Sequence, residues 1–200
     1  MFDKAILDKS RNIQNTLAKK LLSYNIGANQ VTMAGFAIGM CALPLLALNQ
    51  PIFALFCIFL NRLLDGLDGT LARLTTPTDK GGFLDIVLDF LFYSSIPLGF
   101  ALVNVEDNSL AAAVLIYAFV GTGCSFLAFA IIAAKKNMDS TDYPDKSFYY
   151  LGGLTEASET ILVFTLMCLF PTWFTTLAYT FALLCFITTF LRIRAGMELF

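Results

Sequence analysis

Four aspartates are the residues best able to do chemistry in this 200-residue chain. Asp65 and Asp68 lie three apart, Asp85 and Asp89 four apart, and both pairs sit within apolar segments. On a helix advancing about 100° per residue, Asn61, Asp65, Asp68, Gly69, Ala72 and Arg73 share one sector of about 140°. Gly81, Asp85 and Asp89 likewise form one stripe of about 80°. Ionisable groups at membrane depth cost about 2.5–3.5 kcal/mol each on insertion scales, so four carboxylates on adjacent helices demand compensation. A divalent cation is the natural compensation. Oxygen ligands without thiol or imidazole point to Mg²⁺ or Mn²⁺, with Ca²⁺ as the alternative and one or two ions held by Asp65, Asp68, Asp85 and Asp89. The small side chains of Gly69 and Ala72 open a notch beside the carboxylates, and Arg73 can fork onto phosphate oxygens. Metal, notch and guanidinium together suit phosphoryl transfer, in which catalysis is mostly positioning and charge neutralisation. Asp89, deeper on its helix, is the better placed to deprotonate an attacking hydroxyl.

The elements that position these residues follow from composition. The chain is 58% hydrophobic with a mean hydropathy of +0.73, and 14% of it is charged, where soluble domains spend about a quarter of their residues on charge. A soluble globular domain, a disordered chain and a nucleic-acid-binding protein are all excluded on that ground. With no histidine, imidazole bases and serine–histidine triads are excluded too. The five cysteines are scattered singly and form neither a disulfide framework nor a zinc site.

Six apolar segments are expected at about residues 31–49, 51–73, 82–104, 109–134, 154–170 and 172–191. Ahead of them, residues 4–22 read as a basic amphipathic helix on the membrane surface. The expected fold is an all-α integral membrane protein: one domain over residues 1–200, with a surface helix in 1–24 and a six-helix bundle in 25–200. The second segment cannot span on apolar residues alone, because its clean stretch ends at Leu60 and its second half is polar. All 13 basic residues fall on one side of this topology, and of the 15 acidic ones only Glu106 and Asp107 face the other way. By the positive-inside rule, the active site and both termini are expected to be cytoplasmic. No signal-peptide pattern opens the sequence, so the first membrane segment is expected to be retained.

Asp65-x-x-Asp68-Gly69-x-x-Ala72-Arg73, followed by Gly81-x-x-x-Asp85-x-x-x-Asp89, resembles the signature of the CDP-alcohol phosphotransferases. These are membrane enzymes with six spans and an N-terminal juxtamembrane helix. The motif fixes eight positions over 25 residues. Seven residues separate Arg73 from Gly81, one fewer than is usual in the family; this concerns the loop and leaves the helical faces intact. The resemblance implies that Asp65, Asp68 and Asp85 bind the metal and that Asp89 is a further ligand or the general base. It also implies that Asp68, Gly69, Ala72 and Arg73 contact the cytidine nucleotide, with Asn29 and Thr32 lining the same site. An acceptor hydroxyl would attack the β-phosphate of a CDP-alcohol, CDP-diacylglycerol among the candidates, and release CMP. Membrane lipid and a second copy of the chain are the other expected partners.

The acceptor is less legible. Glu156 and Glu159, on one face at the start of the fifth segment, resemble a Thr-Glu element of eukaryotic-type choline and ethanolamine phosphotransferases, where a carboxylate can face a cationic head group. Lys135, Lys136, Arg192 and Arg194 could instead bind a phosphorylated acceptor. Gly121, Gly123 and Ser125 offer close-packing surfaces for a dimer. A divalent-cation transporter and a catalytically altered scaffold are the competing functional classes. A transporter needs polar residues across the whole membrane, and the far half of each span is almost uncharged; an altered relative is expected to have lost a carboxylate, and all four are present.

Overall fold

A computed structural model describes residues 14–136 and 154–200. The expectations for residues 1–13 and for the polar loop 137–153 lie outside the described residues. Within the described residues all regular structure is helical. Helix α1 covers residues 14–23, followed by α2 (Ala28–Met40), α3 (Ala42–Ala47), α4 (Pro51–Leu74), α5 (Asp79–Val103), α6 (Val105–Lys135), α7 (Ala157–Leu169) and α8 (Phe174–Leu199).

Among the described residues, four stretches are long and apolar enough to cross a membrane: Ala28–Ala47, Asp79–Val103, Val105–Lys135 and Pro171–Leu199. The other two expected spans differ for separate reasons. Helix α4 has 24 residues, but Arg62, Asp65, Asp68 and Arg73 depress its hydropathy. Helix α7 has 13 residues, which at about 1.5 Å per residue falls short of a bilayer core of about 30 Å. The first span is broken at Cys41, because Pro44 has no N–H to bond the Met40 carbonyl and the chain restarts as α3.

Helix ends account for the remaining boundary differences. The Thr78 hydroxyl accepts from the Gly81 N–H at 3.1 Å, so α5 begins at Asp79, ahead of the expected 82. Helix α8 continues beyond its apolar run to Leu199.

The core sits mainly in the half away from the aspartates. Phe100, Phe164, Phe174 and Phe181 are buried there, and Phe100 stacks on Phe174 with centroids 4.6 Å apart. Phe53, Phe56, Phe59 and Leu63 are exposed on α4, on the side opposite its carboxylates. A second, smaller cluster docks α1 by Ala18 against Val31, Leu67 and Leu71. Gly121 and Gly123 are used inside the bundle: a Cβ on Gly123 would meet the Phe90 ring at 2.7 Å, and one on Gly121 the Thr189 hydroxyl at 3.2 Å.

Close approach also fixes Gly99, where a Cβ would lie 2.8 Å from Leu46 and 3.2 Å from the Leu43 carbonyl. Gly82 has open space instead. In detergent, Gly99→Ala is expected to destabilise by about 1–3 kcal/mol, whereas Gly82→Ala stabilises by up to about 1 kcal/mol; thermal unfolding of both variants measures the contrast.

Candidate active site

The site forms where the second half of α4 meets the first half of α5, with α2 closing one side. Asp65, Asp68 and Asp85 each direct a carboxylate oxygen to a common point, these atoms lying within 4.8 Å of one another. Three carboxylates so close repel unless a cation separates them. Asp68 is buried, and among the described residues its Oδ2 has no hydrogen-bond partner. An orphaned, desolvated carboxylate oxygen in an all-oxygen cluster is what a hard divalent cation would satisfy. The residues therefore fit Mg²⁺ or Mn²⁺.

Asp65, Asp68, Asp85 and Asp89 line one cleft together with Thr32, Gly35, Phe36, Asn61 and Leu88. Thr32 lies beside Asp68. Asn29 stands against the start of α5, its Oδ1 3.1 Å from where a Cβ on Gly81 would be. The Arg73 guanidinium lies over the open face of Gly69, 3.4 Å from a Cβ there, and is steadied by Nη2 donating to the Thr70 hydroxyl at 3.1 Å. Ala72 is half-buried on the same side of α4. Of the expected nucleotide residues, Thr32 and Asp68 line the cleft itself, while Gly69, Ala72 and Arg73 follow on α4 and Asn29 stands against the start of α5.

Asp89 is placed differently from the other three. Its Oδ1 accepts from Arg62 Nη2 at 2.6 Å. It also borders a second cavity of about 240 Å³, which it shares with Asp85. Phe90, Tyr93, Phe119 and Phe126 give that cavity aromatic walls, and Glu156 and Arg192 bring its charge. Arg192 donates through Nη1 to the Thr122 carbonyl at 3.0 Å and lies over the Phe126 ring.

The remaining expected acceptor residues lie elsewhere. Glu159 accepts from the Glu156 N–H at 3.1 Å and the Ser158 hydroxyl at 3.0 Å, closing the first turn of α7. Lys136 Nζ donates to the Phe200 carbonyl at 3.0 Å. Arg194 pairs with Glu198 at 2.9 Å on the exposed end of α8. Lys135 is exposed at the end of α6.

Sequence reasoning missed the part Arg62 plays, since an arginine near a membrane face reads as a topology anchor. The available signal was its register: one turn before Asp65, on the carboxylate side of α4.

A carboxylate cluster cut into the polar half of an apolar bundle, with a guanidinium beside a small-residue notch, defines a membrane-embedded phosphotransferase. A match to the CDP-alcohol phosphatidyltransferase family covers residues 25–191. The chain belongs to that family, whose members transfer substituted phosphate groups from CDP-alcohols in phospholipid biosynthesis. It is 53% identical over 196 residues to the inner membrane protein YnjF of Escherichia coli (strain K12), covering 98% of this chain and 95% of that protein. It is 41% identical over 87 residues to the archaetidylinositol phosphate synthase of Pyrococcus horikoshii, covering 43% of this chain and 46% of that protein. The fold is similar to that of Mycobacterium tuberculosis phosphatidylinositol phosphate synthase, solved with CDP-DAG bound: TM-score 0.76, 19% identity, 92% of this chain and 94% of that one. That protein has also been solved with manganese and citrate, at TM-score 0.73, 19% identity, 92% of this chain and 88% of that one.

The unscreened carboxylates give a direct prediction. In metal-free protein, Asp68→Asn removes repulsion and raises the unfolding temperature, while Mn²⁺ stabilises the wild type and leaves the variant nearly unmoved. A thermal melt with and without Mn²⁺ measures both, and an equal Mn²⁺-induced rise in the variant would remove Asp68 from the ligand set.

Proposed function

We propose that the donor is CDP-diacylglycerol and that the reaction takes place between the two spaces bordered by Asp85 and Asp89, on the cytoplasmic side of a six-span bundle. The observation that carries this reading is the convergence of Asp65, Asp68 and Asp85 within 4.8 Å, beside the edge of α4 that bears Gly69, Ala72 and Arg73. Asp65, Asp68 and Asp85 hold Mg²⁺ or Mn²⁺, which when bound supplies neutralisation of charge on the donor's pyrophosphate. Arg73 grips a phosphate oxygen across the Gly69–Ala72 notch, where a larger side chain would exclude the nucleotide. Asn29 and Thr32 border the cytidine.

The acceptor enters from the second cavity. Its hydroxyl oxygen forms a bond to the β-phosphorus as the bond from that phosphorus to the bridging oxygen breaks. CMP departs with the bridging oxygen, and the hydroxyl proton passes to Asp89. The cavity volume of about 240 Å³ suits a small polar alcohol. Among the described residues, Arg192 is the single cation and Glu156 the carboxylate that line it apart from Asp85 and Asp89. The support for the cytoplasmic placement is the distribution of lysines and arginines.

Purified protein given Mn²⁺, CDP-diacylglycerol and a panel of small alcohols is expected to release CMP with at least one acceptor, and chelation with EDTA abolishes release. Asp89→Asn lowers the rate by about 10²–10⁴-fold, the range of a lost general base. An unchanged rate in Asp89→Asn, or metal-independent CMP release, refutes the assignment.

A further inference from the structure

Arg62 lies inside α4 with its side chain 14% exposed, at a depth where an unpartnered guanidinium is costly. Each of its nitrogens is directed. Nε donates to Asn61 Oδ1 at 2.9 Å, Nη1 to the Tyr93 hydroxyl at 2.9 Å, and Nη2 to Asp89 Oδ1 at 2.6 Å. A longer contact, at 3.4 Å, runs from Nη1 to Asp65 Oδ2. The guanidinium also lies over the Phe92 and Tyr93 rings, 5.0 and 5.1 Å from their centroids.

The clamp is itself anchored. Asn61 Nδ2 donates to the Gly35 carbonyl at 3.0 Å, tying this turn of α4 to α2. A planar fork held at three edges and packed on aromatic rings has little freedom to turn. It holds Asp89 through Oδ1, tying that carboxylate of α5 to α4.

We propose that Arg62 is the positioning residue for Asp89: it crosses from α4 to α5 and holds that carboxylate where the cleft and the second cavity meet. The inference rests on the reading of Asp89 as the proton acceptor. Arg62 then acts through Asp89 and not through donor or metal binding. Tyr93, bonded to the same guanidinium, plays a smaller supporting part.

The test is a double-substitution cycle on the full chain in detergent, reading CMP release. Arg62→Met is expected to lower kcat by about 10–100-fold, with donor KM within about threefold of wild type and Mn²⁺ affinity, read by calorimetry, no weaker than wild type, because the cation lost from beside Asp65 opposes the metal. Arg62→Lys, which keeps a cation but loses the fork, recovers part of the rate. Tyr93→Phe costs only a few-fold. In an Asp89→Asn background, adding Arg62→Met changes the residual rate by less than about twofold, because the positioned group is already gone. A full additional loss in that background, or a loss carried by donor KM or Mn²⁺ affinity, overturns the proposal. Thermal melts identify a variant that fails to fold, and Arg62→Lys then carries the cycle alone. Absence of CMP release by the wild type refutes the proposed function itself, whereas an active wild type with a silent Arg62→Met refutes this inference only.

Discussion

Charge at membrane depth is the constraint on which the rest of this structure depends. Two helices carry carboxylates within apolar segments, Asp68 buried, Asp65 and Asp89 half-buried and Asp85 exposed, and those removed from water need a partner or a cation to remain there. The fold answers with backbone proximity. Gly35 lets α2 approach α4 closely enough for its carbonyl to accept from Asn61, and a Cβ there would come within 3.1 Å of Leu64. Gly39 does the same a turn further along, where a Cβ would meet Phe92 at 2.8 Å and Asn61 at 2.9 Å. On the outer side, Gly66 leaves room for Gln14, whose Nε2 lies 2.8 Å from a would-be Cβ, so α1 closes over the back of the acidic helix. The glycines of this half work mainly by close approach, letting polar groups be satisfied by neighbouring helices.

The same constraint explains why the molecule is divided into a polar and an apolar half. Where carboxylates converge, helices are tied by hydrogen bonds and ion pairs; at the other end the bundle closes on aromatic packing around Phe100, Phe174 and Phe181. Rigid packing at one end lets the other end hold open space, and both cavities lie there. Asp85 and Asp89 border both spaces. An in-line displacement at phosphorus needs an incoming and a departing oxygen on opposite sides, and a shared carboxylate wall between two openings is compatible with that geometry.

Much of the acidic site was legible because helical periodicity converts spacing into a face: three- and four-residue intervals put the aspartates of α4 and α5 on facing stripes whatever the details of packing. The polar second half of α4 was legible for the same reason, as a stretch that could not face lipid all round. What periodicity cannot give is the partner across a helix pair. Arg62 has the sequence character of an interfacial anchor, and only the approach of α5 turns it into Asp89's partner. Glu156 and Glu159 lie on one face by spacing, yet one borders the second cavity and the other closes the helix cap. Lys136 finds a partner in the Phe200 carbonyl that no local pattern announces, whereas the Arg194–Glu198 pair follows the four-residue spacing of a helix face. The break at Cys41 was obscured by the unbroken apolar run around it, although Pro44 supplies its cause.

The start of α7 forms one rim of the second cavity: the helix begins at Ala157, and Thr155, Glu156, Ala157 and Thr160 border the opening opposite Phe119, Thr122 and Arg192. The first turn of a helix presents unpaired N–H groups and a partial positive charge, which an apolar surrounding tolerates poorly. Here Glu156 and Glu159 form a reciprocal capping box at that end, meeting those donors with two carboxylates of opposite sign to the dipole. Glu156 is therefore required twice, once by the helix that ends there and once by the cavity it borders. A substitution at Glu156 must disturb the helix start even where it spares the opening, and a change in acceptor preference at this position is interpretable only alongside the stability of α7.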